Sequence, residues 1–72
     1  CVSTSVRVGA NLGYRMILVE DACDCFDQPD GEGGVISARD IHRAHVATLR
    51  AEFAEVLSTA KLVEALQRPA AA

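Results

Sequence analysis

The 72-residue chain has no tryptophan, one tyrosine and two phenylalanines, so Tyr14, Phe26 and Phe53 are all of its aromatic side chains. A single domain of this size buries only about 60% of its unfolded surface, and with so few large side chains its core must be thin. Basic residues are also sparse. The seven Lys and Arg are scattered and outnumbered by ten Asp and Glu, giving a net charge of −3 and a pI near 5.1. Nucleic-acid and anionic-membrane surfaces need clustered cations, so neither partner is expected. No apolar run approaches the ~20 residues that span a bilayer, and no basic-then-apolar leader opens the chain. Three cysteines, Cys1, Cys23 and Cys25, form neither an even disulfide framework nor a C-x-x-C metal signature. A reducing cytoplasm is the expected setting. The chain opens on Cys1 rather than Met, and is expected to be part of a longer polypeptide.

The informative stretch is Cys1 to Tyr14. Val2, Val6 and Ala10 recur at helical spacing, and Gly13 supplies a helix stop. Ser, Thr and Val are mediocre helix formers, so packing on a sheet must stabilise this helix, with Gly9 permitting close approach. Cys1 then stands at the helix start. Unpaired N–H groups and a partial positive charge there favour thiolate over thiol, which makes Cys1 the candidate nucleophile.

Met16 to Val19 is a continuous apolar run, the pattern of a central parallel strand covered on both faces. Asp21 and Ala22 follow at its carboxyl end, the edge where open α/β sheets collect active-site residues. Residues 24–34 carry Asp24, Asp27, Asp30 and Glu32 among Pro29, Gly31, Gly33 and Gly34, which implies a flexible acidic loop. No EF-hand frame fits it. Ser37-Ala-Arg-Asp40 starts a helix running to about Phe53, whose apolar face is expected to hold Ile41, Ala44, His45, Thr48, Leu49 and Phe53. Residues 54–58 predict a second strand, and Ser58 or Thr59 caps a last helix bearing Leu62, Val63 and Leu66. Pro69 is expected to end that helix and Ala70 to Ala72 to fray. The order helix, strand, helix, strand, helix indicates an α/β fold with a parallel sheet. A strand apolar on both faces needs neighbours on both sides, so further strands are expected outside residues 1–72.

Cys1-Val2, Arg7, Ala10, Leu12-Gly13-Tyr14 and Val19-Glu20-Asp21-Ala22-Cys23, followed by His45, Thr48-Leu49, Phe53 and Val56, resemble the isochorismatase-like superfamily of cysteine hydrolases. Nicotinamidases, isochorismatases and N-carbamoyl amide hydrolases are among its members. The resemblance implies a three-layer α/β/α Rossmann-like fold, of which residues 1–72 would be the carboxyl-terminal part of a single domain. It also implies a Cys-Lys-Asp triad in which the thiolate attacks an amide-type carbon and water releases the covalent intermediate. Cys1 matches the nucleophile. The triad aspartate and lysine lie upstream of the cysteine in the family, and Lys61 does not match their motifs. The isolated chain is therefore expected to be inactive. No cofactor is implied for these residues, and a small amide-type substrate and a homo-oligomeric parent are.

Other readings compete at several positions. Cys1 as a buried structural thiol, or as an N-terminal nucleophile using its own α-amine, are the alternatives to a helix-start nucleophile. Cys23 and Cys25 suit packing better than metal binding, since no further ligand lies at zinc spacing. His42 is expected at the surface and His45 packed and hydrogen-bonded; H-R-A-H is not a zinc motif. Arg7 would steady a carboxylate or serve the structure by reaching solvent, and Asp21 would line a pocket or cap a loop backbone. For the whole, cleavage of the vinyl ether of isochorismate and a non-catalytic interaction module stand beside amide hydrolysis.

Overall fold

A computed structural model describes residues 1–67. Its elements are helix α1 (Val2–Asn11), strand β1 (Ile17–Val19), a short 3-10 turn (Glu20–Ala22), strands β2 (Gln28–Pro29) and β3 (Val35–Ile36), helix α2 (Ala38–Glu52), strand β4 (Glu55–Leu57) and helix α3 (Thr59–Gln67). β1 and β4 pair in parallel, with Leu18 opposite Val56. The α/β class is as expected, and the flanking helices are consistent with a Rossmann-like three-layer fold. The expected stop at Pro69 and the fraying of Ala70 to Ala72 lie outside the described residues.

α1 ends where its chemistry says it must. Gly13 adopts φ +92°, its N–H donates to the Ala10 carbonyl, and the Tyr14 N–H donates to the Gly9 carbonyl, both at 3.0 Å. This is the paired-bond Schellman stop, which favours a residue without Cβ. Gly9 lies directly against the Met16 side chain, so the close approach of helix to strand is real. The core is Val6, Leu18 and Leu49, exposed by 5%, 4% and 2%, with Met16, Cys23, Val46, Phe53, Ala54 and Val56 packed around it. Each fully buried aliphatic contributes about 1.5–3 kcal/mol.

Three expectations are corrected. The acidic loop is an ordered antiparallel ribbon, β2 with β3, whose turn is organised by Asp30. The Asp30 Oδ1 accepts from the N–H groups of Glu32 and Gly34 at 2.7 and 3.0 Å, and Gly31 and Gly33 supply φ of +84° and +89°. A carboxylate that takes backbone donors folds a turn instead of repelling its neighbours. Next, β1 is not covered on both faces: Leu18 is buried, but Ile17, which alternates to the opposite face, is exposed. Last, the inward stripe of α2 runs Ala38, Ile41 and His42, Val46, Leu49 and Phe53, while Ala44, His45 and Thr48 are exposed. Alanines at 44, 47 and 51 left the apolar face ambiguous, and the larger Val46 decides the rotation. No helix of the described residues is long and apolar enough to cross a membrane.

Candidate active site

In a parallel α/β unit the helices run against the strands, so α1, α2 and α3 all begin near the carboxyl edge of β1 and β4. Two of these helix starts are sealed twice. At α2, the Ser37 hydroxyl accepts from the Asp40 N–H at 3.2 Å and the Asp27 Oδ1 accepts from the Ala38 N–H at 2.7 Å. At α3, the Ser58 hydroxyl accepts from the Lys61 N–H at 3.2 Å, and the Asp21 Oδ1 accepts from both the Thr59 Oγ1 and N–H, at 2.7 and 2.8 Å. The Thr59 hydroxyl, then its N–H, holds the Asp21 carboxyl below its ordinary value. Asp21 therefore caps the start of a helix, where the expectation was a pocket wall or a loop backbone.

α1 is different. Its N-cap is Cys1, which makes no side-chain capping bond, and its first turn holds no acidic residue. Cys1 is exposed and free. It lines an open cleft of about 420 Å³ together with Leu18, Cys23, Asp24, Cys25, Phe26, Ile41, His42 and His45. The cleft thus sits between the start of α1, the segment leaving β1 and the first turns of α2. A larger groove of about 640 Å³ crosses the outer face of α2 beside Glu20, Asp40, Arg43 and Arg50. Those charges pair with one another, Arg50 with Glu20 at 3.7 Å and Arg43 with Asp40 at 4.0 Å, and no nucleophile lines it.

No family model matches the chain. It is 40% identical over 63 residues to YrdC, an uncharacterized isochorismatase family protein of Bacillus subtilis, a match taking in 88% of this chain and 34% of the relative. Its fold matches a crystal structure from Chromobacterium violaceum, a proposed hydrolase of the isochorismatase family, with a TM-score of 0.84 and 37% identity over 90% of this chain and 34% of that one. At domain level, the chain is similar to part of these isochorismatase-family proteins. It spans about a third of the length of these relatives.

Along this segment the histidines exchange their expected exposures. His42 is half-buried and His45 exposed, because the α2 seam passes through Val46. Both still line the cleft. Cys23 and Cys25 are free and half-buried, in keeping with packing, and among the described residues no group of three His, Cys, Asp or Glu is placed to hold a metal. Arg7 is structural: its guanidinium lies 5.0 Å from the centre of the Phe53 ring and donates to the Ser3 hydroxyl at 3.3 Å. Sequence reasoning missed Phe26, 86% exposed at the rim of the cleft. An aromatic inside an acidic, glycine-rich stretch was the available signal. It also missed Asp27 as the α2 cap, which has no local signature because donor and acceptor are eleven residues apart.

Proposed function

We propose that this chain carries the nucleophile of a cysteine hydrolase cleaving an amide-type C–N bond, with Cys1 as the attacking residue and residues 1–72 as the carboxyl-terminal part of one isochorismatase-like domain. The observation that supports it best is the contrast among helix starts. Where α2 and α3 spend N-terminal donors on Asp27 and Asp21, α1 has, among the described residues, an N-cap cysteine whose side chain makes no capping bond and which lines a cleft. A helix start of this kind favours a thiolate and, later, an oxyanion.

In the proposed reaction the Cys1 Sγ attacks the carbonyl carbon. A C–S bond forms as the carbonyl π electrons move to oxygen. Collapse breaks the C–N bond, the amine leaves with a proton from a general acid, and water then cleaves the thioester to acid and free thiol. The aspartate and lysine that the family resemblance implies for proton transfer and charge come from the remainder of the parent. Asp24 is the carboxylate among the residues lining the cleft, and it disfavours a dicarboxylate such as isochorismate relative to a neutral amide. A homo-oligomeric parent in a reducing cytoplasm suits the three free thiols.

The test is the full-length parent assayed with nicotinamide and simple N-carbamoyl amides, with and without Cys1→Ala. The expected result is a loss of at least about 10³-fold in kcat/KM and disappearance of an acid-quenched thioester adduct by intact mass. The 72-residue chain alone is expected to be inactive. A Cys1→Ala parent that turns over within a few-fold of wild type rules out Cys1 as nucleophile.

A further inference from the structure

All three cysteines of the chain line the one cleft, yet the proposed hydrolysis uses one of them. Cys23 packs against the core around Leu18. Cys25 does not belong to that cluster and stands outside any helix or strand, between the 3-10 turn and β2, next to Phe26, whose side chain is 86% exposed. The segment carrying Cys25 can therefore shift without opening the core, which Cys23 cannot do.

We propose that Cys1 and Cys25 form an oxidation-sensitive thiol pair in which a hydroperoxide converts Cys1 to a sulfenic acid and Cys25 resolves it to a disulfide. In the first step the Cys1 thiolate attacks a peroxide oxygen. The S–O bond forms as the O–O bond breaks, sulfur is oxidised by two electrons, and the peroxide is reduced to hydroxide, which takes up the proton that the Cys1 thiol released on ionising and leaves as water. In the second, the Cys25 sulfur attacks the sulfenic sulfur, the S–S bond forms, the S–O bond breaks, and the departing hydroxide leaves as water with the Cys25 proton. Two thiols and one hydrogen peroxide give one disulfide and two waters. The ~3.8 Å Cβ separation of a disulfide is reached by movement of residues 24–26 toward the start of α1. Cys1 in a disulfide has no thiolate to offer, so the nucleophile is stored in a form that thiols restore and that over-oxidation to sulfinic acid bypasses.

The regulatory meaning rests on Cys1 being the nucleophile; the disulfide does not. The test treats the 72-residue chain, and separately the parent, with stoichiometric hydrogen peroxide, then counts thiols and maps cross-links by peptide mass spectrometry. The expected result is loss of two of the three free thiols, a Cys1–Cys25 cross-linked peptide, and full recovery with dithiothreitol. Cys25→Ser, and Cys25→Ala with its far-UV circular dichroism checked against wild type, should instead accumulate Cys1 sulfenic acid that a dimedone probe traps. A cross-link from Cys23 to either other cysteine, or over-oxidation of Cys1 with no cross-link, overturns the pairing. An active Cys1→Ala parent that nonetheless shows the Cys1–Cys25 cross-link in the wild type would sink the hydrolase reading alone.

Discussion

Leu49→Ala is the most discriminating test of the packing. Leu49 is the least exposed side chain of the chain's described residues that belong to its core, at 2%, and it joins Val6 on α1 to Leu18 on β1. Removing three carbons from such a site costs the transfer free energy of the lost methyl groups plus a cavity term, about 2–5 kcal/mol in all. The surroundings select within that range. Val46, Phe53 and Met16 are only half-buried, so they can move inward, and the lower half, about 2–3.5 kcal/mol, is expected. The core has three buried members, so this loss is a large fraction of any stability the chain possesses. The assay is urea unfolding of the 72-residue chain by far-UV circular dichroism, with Leu66→Ala as the control. Leu66 is 75% exposed, and its truncation should stay within about 0.5 kcal/mol. Equal effects from the two substitutions would show that no α1–β1–α2 core holds the chain together.

Two further outcomes follow from the caps and the turn. The Asp21 and Asp30 carboxyls are both held below the usual 3.8 by hydrogen bonds, from Thr59 in one case and from the Glu32 and Gly34 amides in the other. A depressed folded-state value means that these groups contribute stability fully above the unfolded value and lose it as pH falls through the folded one. Stability should therefore decline below about pH 4, and Asp21→Asn should reduce stability at neutral pH while flattening that decline, as read from urea midpoints across an acid titration. Gly13→Ala forces a Cβ into φ +92° and should destabilise the chain by about 1–2 kcal/mol, with hydrogen exchange speeding first at the Tyr14 amide that bonds the Gly9 carbonyl. Unchanged exchange there would contradict the Schellman assignment.

The features visible in the sequence are those whose cause is local. The start and stop of α1, the apolar run of β1 and the Ser37 and Ser58 caps each depend on residues within one or two turns, and each lies where those residues put it. Features that depend on distant partners were not visible. β2 and β3 are two residues each, too short for any periodicity to register, and Pro29 argues against a strand until its place on an edge is known. Asp21 reaches Thr59 across 38 residues. The rotation of α2 turned on which of several small residues faced α1, and the roles of His42 and His45 turned with it. For the candidate site the same division holds: Cys1 was legible from its place at a helix start, whereas its cleft neighbours Phe26 and Cys25 are brought there by the ribbon.

The aspartates along this edge are each engaged by backbone donors. Four aspartates leave β1 and enter the ribbon within a dozen positions, Asp21, Asp24, Asp27 and Asp30, and a free carboxylate beside a thiolate opposes it. Each is instead tied to N–H donors. Asp24 accepts from the Cys25 N–H at 2.8 Å, Asp30 closes the turn, and Asp27 and Asp21 sit on the starts of α2 and α3. Two of them lie at the positive ends of helices and two against local backbone N–H groups. The third helix start, α1, is left facing a cleft with a sulfur at its tip.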